Sequence, residues 1–332
     1  MMKIERIWLE LEQDNLFYSG LLYKRYAADV KPNIFIALKS PERLRCLAFR
    51  VSLELAIDID KLNRLKDIKI ETLQDERDSS KKFLLVLLLN KQHKDIFSTL
   101  CEDLIYDVED VETEDDLVNS LAERLTKWQS LFEKVGKQGL SDEEQRGLYG
   151  EVYFLRLFLK NSKNTNDCLK SWLGPENSIQ DFQYSNWAVE VKTTHGNNHQ
   201  KIHISNERQL DDSTIEKLFL FHLSLDVRTD NGETLNALIS EILDLLKGNT
   251  KATNDFELKL LEAGYYDIHK PLYNEKGYII RQNNVYHVFG KFPRITEKDI
   301  PIGVGDVKYS IVISESEKWK IDEQILFNQL NE

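Results

Sequence analysis

Four residues of types that take part in phosphate chemistry stand out in this sequence: Glu151, Asp181, Glu190 and Lys192. Glu151 falls in a largely apolar run whose three- and four-residue spacing predicts one face of a helix. An ionised carboxylate in such a stripe costs on the order of several kcal/mol unless it is paired or coordinates a metal. Three carboxylates and one lysine are enough to build a metal-dependent phosphodiesterase site, so the later acids are the expected partners of Glu151.

The spacing of the later acids favours a cation. On a strand over 186–194, Glu190 and Lys192 share one face, roughly 6.6 Å apart. If residues 179–184 pair with that strand in a hairpin around Ser185 and Asn186, Asp181 lies beside Glu190. Two like charges at that distance repel each other, which favours a bound cation. Mg²⁺ takes oxygen ligands and keeps several waters, so two or three carboxylates suffice, and Mn²⁺ is the alternative metal.

An acid followed two residues later by lysine is a weak signal by itself. The same triplet occurs at 29–31 and 306–308, for example, where a solvated surface is the simplest interpretation. The triplet at 190–192 differs because it has a candidate partner at Asp181, an upstream Glu151 and flanking valines typical of a buried strand. A structural ion pair of Lys192 with Glu190 or Asp181 is the alternative interpretation.

Other candidate residues lie just beyond this triplet. His195, His199 and His203 recur every four residues, but the Gly-Asn-Asn sequence at 196–198 favours a turn, so no helical face aligns them for zinc. Histidines in a loop, or in contact with phosphate, are the favoured interpretation. Ser205 is predicted to be a helix N-cap and Gln209 to line the site.

Periodicity predicts the elements that position these residues. Predicted strands of the first half span 16–26, 33–38, 44–53 and 83–89, and predicted helices span 93–106 and 115–135. In the second half, Ser141 and Glu144 fit a capping box that opens the helix carrying Glu151. Further strands are predicted at 179–184, 186–194, 201–205, 216–225, 284–291 and 306–314. Further helices are predicted at 207–212, 233–247 and 254–263, with a polar loop at 161–167.

This order predicts an α/β (α+β) protein with a mixed sheet flanked by helices. Gly136 and Gly139 interrupt the chain before the capping box. We therefore predict a strand-rich N-terminal domain over residues 1–138, which ends in two helices, and a second domain over residues 139–332. The first domain lacks recognisable chemistry and is assigned a docking or specificity role.

Bulk composition limits the function classes. The 332 residues are 41% hydrophobic and 30% charged, with a net charge of −12. That charge argues against a tight, non-specific nucleic-acid binder, because phosphate contacts need clustered Lys and Arg. The acidic run from Glu102 to Asp116 predicts a solvated surface, with a DNA-mimicking or partner-docking face as the alternative. The absence of a membrane-length apolar run or signal core, and three widely spaced cysteines, predict a cytoplasmic protein without membrane partners.

The order helix-Glu, Asp, Glu-x-Lys resembles the PD-(D/E)XK superfamily of restriction-endonuclease-like nucleases. The segments that carry this resemblance are Gly150-Glu151, 190–194 and 204–210, within roughly a quarter of the chain. In more detail the chain is similar to uncharacterised bacterial members found near restriction-modification and phage-defence genes. The resemblance implies that Asp181 and Glu190 bind metal, that Glu151 assists them, and that Lys192 positions the attacking water. Gln180 stands where the motif has its proline.

We therefore expect a metal-dependent endonuclease that hydrolyses DNA within a bacterial restriction or phage-defence system. Partner proteins are expected to supply target choice. The resemblance also allows a homodimer, for which no seam is identifiable in the sequence. The alternative is a non-catalytic subunit that binds nucleic acid or a partner protein and retains a nuclease-like fold. A nuclease acting on RNA, or in nucleotide repair, shares the same site.

Overall fold

The computed structural model describes residues 3–14, 19–28, 30–63, 65, 67–134, 139–176, 178–196 and 201–332. Contacts within the chain divide it into two compact units, Met1–Lys137 with Tyr266–Ile268, and Gln138–Tyr265 with His269–Glu332. Gly136 and His199 lie outside the described residues, as do residues 135–138 just before the predicted domain boundary. The mixture of sheets and helices confirms the predicted α/β (α+β) class.

The first unit is built on a five-stranded antiparallel sheet in the order β1-β2-β3-β5-β4. Its strands are β1 (Gly20–Arg25), β2 (Ile34–Ser40), β3 (Leu44–Ser52), β4 (Ile68–Gln74) and β5 (Lys81–Leu88). Its helices are α1 (Lys3–Glu12), α2 (Ile59–Leu62), α3 (Lys94–Val108) and α4 (Glu114–Lys134). β5 is buried over six consecutive residues, because it lies between β3 and β4 and contributes side chains to both faces of the sheet.

Three elements of the first unit were not predicted: the helices α1 and α2 and the strand β4. The helix α1 precedes β1. Ile4, Ile7, Trp8 and Leu11 recur at helical spacing and are all buried, which is the pattern of an amphipathic helix. The strand β4 was also not predicted; its buried residues, Ile68 and Ile70, alternate with more exposed ones.

The acidic run from Glu102 to Asp116 is only partly a solvated surface. Glu102 and Asp103 are buried in α3. Asp103 Oδ2 accepts hydrogen bonds from Arg124 Nε at 2.6 Å and from Trp128 Nε1 at 2.7 Å. The prediction was wrong for these two acids, because their hydrogen-bond partners are distant in the sequence: Arg124 and Trp128 for Asp103, and Tyr26 and the Ile4 amide for Glu102.

The second unit contains a mixed sheet in the order β10-β11-β9-β7-β6, with β13 paired to β11. Its strands are β6 (Phe182–Tyr184), β7 (Trp187–His195), β8 (Lys201–Ile204), β9 (Lys217–Thr229), β10 (Glu233–Thr234), β11 (Lys276–His287), β12 (Tyr309–Val312) and β13 (Lys320–Ile321). Its helices are α5 (Asp142–Asn161), α6 (Thr165–Ser171), α7 (Leu235–Leu245), α8 (Thr250–Glu262) and α9 (Glu323–Leu330). β7 and β9 are parallel, whereas β8 pairs with β12 in a separate ribbon.

The sheet separates two apolar cores. Val189 and Val191 of β7 face the core that contains Phe154 and Leu155 of α5, whereas Ala188 faces the other core. The predicted alternation along β7 is therefore confirmed. Glu190 and Lys192 belong to the Ala188 side by the two-residue period of a strand. The capping box at the start of α5 is also present: Ser141 and Glu144 exchange hydrogen bonds in both directions.

The second unit corrects three local predictions. No helix spans 207–212; this segment forms turns in which Asn206 Oδ1 accepts from the Arg208 amide at 3.0 Å. Such local side-chain bonds compete with helix formation. Ser205 is therefore not a helix N-cap. The predicted loop at 161–167 contains the first turn of α6. Among the described helices, none has the length and apolarity that crossing a bilayer requires.

Candidate functional site

Gly150 allows α5 to pack closely against β7, next to Glu151. A Cβ at Gly150 would overlap Cγ2 of Thr193 and lie 3.4 Å from Cγ1 of Val191. Only a residue without a side chain lets the helix approach the strand so closely. Glu151, the next residue, lies close enough to Lys192 of β7 for their charges to interact.

The Glu151 carboxylate accepts a hydrogen bond from the indole of a tryptophan. Trp172 Nε1 donates to Glu151 Oε2 at 2.8 Å, and Trp172 is fully buried. Trp172 also forms an isolated antiparallel bridge with Phe182, the first residue of β6. Trp172, Phe182 and Trp187 are core residues, and Trp172 additionally orients a candidate site residue.

Asp181 immediately precedes β6. Phe182 pairs with Val189 and Tyr184 with Trp187, so β6 and β7 form the predicted hairpin around Ser185 and Asn186. Continuing that register by one residue places Asp181 opposite Glu190.

Backbone amides hold both the side-chain carboxylate and the main-chain carbonyl of Asp181. Its Oδ2 accepts a hydrogen bond from the Val191 amide at 2.7 Å. Its carbonyl accepts from the amides of Leu173 and Gly174 at 2.8 and 2.9 Å. These bonds tie the 172–174 segment to the hairpin and hold the Asp181 carboxylate in one orientation.

Gly174 marks the point on which two of the carboxylates converge. A Cβ at this position would lie 3.3 Å from Asp181 Oδ1, 3.0 Å from Glu151 Cδ, and closer still to Glu151 Oε2. Glu151 and Asp181 therefore face the same small space, although thirty residues separate them in the sequence.

Glu190 and Lys192 lie directly beside each other. Lys192 Nζ is 2.6 Å from Glu190 Oε1, and Glu190 is fully buried. This contact with the Lys192 ammonium is the main support of the buried Glu190 carboxylate. The alternative of a structural ion pair thus describes the observed contact, in which one ammonium group offsets a fully buried carboxylate.

The four groups perturb one another electrostatically. Burial, together with the charge of Asp181, raises the pKa of Glu190 to about 8 and raises the pKa of Glu151 well above its usual range. Burial likewise raises the pKa of Asp181. Burial alone would lower the pKa of Lys192, but the charges of Glu190 and Asp181 outweigh it, so that pKa is raised. Lys192 is therefore cationic, and Glu190 titrates close to neutral pH.

The donor chemistry of this cluster fits a hard divalent cation. Its carboxylates lie close enough for their charges to raise the pKa values of Glu190 and Glu151. The side-chain arrangement fits less well. Over the described ranges, no three or more His, Cys, Asp or Glu side chains form a group arranged for a metal. The ammonium of Lys192, and not a further metal-binding side chain, lies beside Glu190 Oε1.

A cleft of about 360 Å³ opens over the cluster. Its lining residues are Glu143, Arg146, Gly147, Glu151, Asp181, Val191, Lys192, Thr193, Thr194, His195, Lys201, His203 and Ser205. The buried Glu190 lies behind this lining.

Some of the remaining candidate residues line the cleft and others do not. Ser205 lines it, as do His195 and His203, which belong to a strand end and a separate ribbon rather than to one helix face. Gln209 is not among the lining residues; its Oε1 accepts from the Ser205 amide at 2.9 Å. Gln180, at the position of the motif's proline, is buried, and its Nε2 donates to the Arg208 carbonyl at 3.0 Å.

Sequence reasoning missed four contributors to the site: Trp172, Gly174, Arg146 and Lys201. The Gly-Pro pair at 174–175 marked a turn but did not indicate its neighbours. Arg146 precedes Glu151 by five residues, a spacing that gives no sign of a shared cleft. Only the folded chain brings these residues together.

Comparison with known proteins agrees with this geometry. The family model described as "Putative PD-(D/E)XK family member, (DUF4420)" matches residues 4–314. Searches of curated proteins and of solved structures found no match. Because the family model covers most of the chain, the protein belongs to this PD-(D/E)XK family, and its match extends far beyond the segments that carried the resemblance.

Proposed function

We propose that this PD-(D/E)XK family member is a metal-dependent endonuclease that hydrolyses DNA phosphodiester bonds in a bacterial restriction or phage-defence system. One observation carries the proposal. Glu151 and Asp181 face the same small space at the floor of an open cleft, with Glu190 and Lys192 beside them on β7. Acidic oxygens and one ammonium group are the side chains that phosphodiester hydrolysis requires.

Asp181, Glu190 and Glu151 are the residues that would hold Mg²⁺ or Mn²⁺. A bound divalent cation lowers the pKa of water and neutralises charge that develops on the phosphate. The chain's own groups orient the reaction. The Val191 amide and the Trp172 indole hold Asp181 and Glu151, which limits reorganisation during the reaction.

Lys192 is assigned the positioning of the attacking water and the stabilisation of a non-bridging phosphate oxygen. In the hydrolysis, the water oxygen forms a bond to phosphorus while the bond from phosphorus to the departing sugar oxygen breaks. One water proton is lost to solvent, and the departing oxygen gains one. Lys192 remains cationic beside its acids, so it donates hydrogen bonds rather than acting as the base.

Hydrolysis of plasmid DNA by the purified full-length chain, with Mg²⁺ or Mn²⁺ supplied, tests this function. We expect cleavage by the wild type and a loss of about a hundredfold or more in Asp181→Asn. Asp230→Asn makes the same chemical change at an exposed turn where φ is +59°, a conformation that asparagine accepts. This control should retain full activity. Equal cleavage by the wild type and Asp181→Asn would reject the proposed site.

A second function has one observation in its favour. Lys192 pairs with Glu190, and the described residues form no ready-made group of three metal-binding side chains. That arrangement suits a non-catalytic subunit that binds nucleic acid or a partner protein. Calorimetry with Mn²⁺ separates the two functions: binding by the wild type that is lost in Asp181→Asn supports the enzyme, and no binding to either protein supports the subunit.

Partners and substrate class follow as further proposals. Because the net charge is −12, we assign target choice to partner proteins and a docking or specificity role to residues 1–138. A homodimer is the assembly that would cut both strands, and sedimentation of the purified chain measures it. RNA is the competing substrate, since contacts to phosphate do not read the bases; parallel assays on DNA and RNA decide between them.

A further inference from the structure

Basic side chains line the same cleft as the carboxylates. Arg146 projects from the second turn of α5, and Lys201 and His203 project from β8. Lys201 and His203 are the exposed residues of β8, whereas Ile202 and Ile204 are buried, so the strand presents both of them on its outer face. The cleft therefore has a carboxylate floor and basic residues from two separate elements.

Arg146 is unusual in lacking a counter-charge. Its Nε is buried and has no hydrogen-bond partner, and no acid pairs with its guanidinium in the part of the chain that the structure describes. Other arginines of this unit are paired: Arg156 with Glu233, Arg208 with Glu297, and Arg294 with Asp212. In a chain with a net charge of −12, an underbonded guanidinium in a cleft indicates a missing anionic ligand.

The surroundings of Arg146 leave room for such a ligand. A Cβ at the adjacent Gly147 would meet nothing within 4 Å, and Gly147 also lines the cleft. The nearby Glu143 lines it too, but is exposed in the first turn of α5 and forms no ion pair with Arg146 among the described residues. Arg146 precedes Glu151 by five residues, about 7.5 Å along the helix axis. A phosphate at Arg146 is thus separate from one at the carboxylates but near enough to belong to the same strand.

We propose that Arg146, assisted by Lys201 across the cleft, binds a phosphate group of a nucleic-acid strand next to the one that lies at the carboxylates. This inference rests on the proposed function. The guanidinium fork matches two phosphate oxygens, and Lys201 adds a point charge. Arg146 is a substrate-positioning residue: it fixes the register of the strand over the site and takes no part in bond cleavage.

Binding measured without cleavage tests the inference. The probes are a fluorescein-labelled DNA duplex and its labelled single strand, titrated with the full-length chain in EDTA and followed by fluorescence anisotropy. We expect Arg146→Gln to weaken binding about tenfold and to reduce the salt dependence by about one unit of log–log slope. Arg146→Lys, which keeps the charge but not the fork, should fall between Arg146→Gln and the wild type.

Arg228→Gln is the matched control, because it removes the same charge from a residue that pairs with Asp226 and does not line the cleft. It should bind both probes as the wild type does. A second variant, Gly147→Glu, introduces a carboxylate into open space beside Arg146 without crowding the helix. It should also weaken binding, while its thermal unfolding shows that the fold is intact.

The outcomes separate the inference from the proposed function. If the wild type binds a probe and Arg146→Gln loses no more affinity than Arg228→Gln, the role of Arg146 is rejected and the nuclease proposal stands. If the wild type binds neither probe, the inference is overturned, and the cleavage assay with Mg²⁺ decides separately whether the proposed function survives. Weakening by both Arg146→Gln and Gly147→Glu supports the phosphate site.

Discussion

Glu190 is the residue at which stability and chemistry oppose each other most directly. It is fully buried, and its charge is opposed by that of Asp181. Lys192 compensates part of this cost through the ion pair at 2.6 Å. A buried carboxylate arranged in this way destabilises the folded state but supplies an oxygen ligand where a cation is needed. The same reasoning applies, less strongly, to Glu151, which Trp172 supports.

The first prediction concerns the pH dependence of stability without divalent cations. The pKa of Glu190 rises from 4.5 to about 8 on folding, so the folded state holds this proton more tightly. That contribution to the free energy of unfolding is complete below about pH 4.5 and is lost as pH rises towards 8. In EDTA at about pH 8, Glu190→Gln should therefore be more stable than the wild type by about 1–3 kcal/mol, with a smaller difference at pH 5.

Urea denaturation at several pH values measures this difference. Glu275→Gln makes the same change at an exposed position and should behave as the wild type throughout. A stability difference for Glu190→Gln that does not vary with pH would show that the proton on Glu190 is not linked to folding.

The second prediction concerns Gly174. A side-chain carbon there would displace the carboxylate of Glu151 and crowd that of Asp181. We expect Gly174→Ala to weaken Mn²⁺ binding by about ten- to a hundredfold, because displaced ligands lose their common orientation. Isothermal calorimetry measures the affinity. Gly305→Ala, at an exposed glycine with nothing within 4 Å of the added carbon, should leave it unchanged. Equal affinities for the two variants would contradict the role given to Gly174.

At the scale of elements, the site depends on how closely α5 approaches β7. The capping box at Ser141 begins the helix, and its apolar residues pack against the valine face of β7. Gly150 then sets the distance between helix and strand. The hairpin of β6 and β7 brings Asp181 to the same edge. The site is thus assembled by a helix, a hairpin and the 172–174 segment, none of which carries all the chemistry.

Two glycines one turn apart in α5 test that dependence. Alanine favours a helix over glycine by about 1 kcal/mol, so Gly147→Ala, with open space around it, should stabilise the protein by about 0.5–1 kcal/mol. Gly150→Ala should instead destabilise it by about 1–3 kcal/mol, because the added carbon overlaps Thr193. Thermal unfolding of the two variants measures the contrast. A stabilising Gly150→Ala would mean that the helix can retreat from the strand without cost.

At the scale of the whole molecule, the chain has an excess of acidic residues, but several of its cations lie together in the cleft. The chain carries 56 acidic and 44 Lys and Arg residues, yet the cleft gathers Arg146, Lys192 and Lys201. Many acids elsewhere are internally paired, as Asp103 is with Arg124. An acidic molecule that places a few cations beside carboxylates in one small cleft repels nucleic acid over most of its surface. It therefore depends on few contacts, or on partner proteins, for affinity.

The corresponding prediction is a shallow salt dependence. Each neutralised phosphate contributes about 0.7–0.9 to the slope of log affinity against log salt concentration, so three cleft cations predict a slope of about −2 to −3. Anisotropy titrations of the full-length chain over a series of sodium chloride concentrations measure it. A slope of about −8 would require an extended basic surface outside the cleft and would contradict this account.

The sequence by itself determined those features that local backbone geometry controls. Alternation along 186–194 paired Glu190 with Lys192, the turn at Ser185 and Asn186 brought Asp181 beside them, and the capping box located the start of α5. These features could be predicted because strand and helix periods repeat within a few residues. The same local reasoning gave a wrong prediction at 207–212. A helix was predicted there, but side-chain hydrogen bonds to nearby amides favour turns.

The tertiary structure alone decided which distant residues complete the site. Trp172 supports Glu151, Gly174 leaves space for two carboxylates, and Arg146 and Lys201 reach one cleft from a helix and a separate ribbon. It also decided that Gln209 bonds to the Ser205 amide instead of lining the cleft. No period in the sequence encodes these contacts, because they arise from packing between segments whose separation along the chain bears no fixed relation to their separation in space.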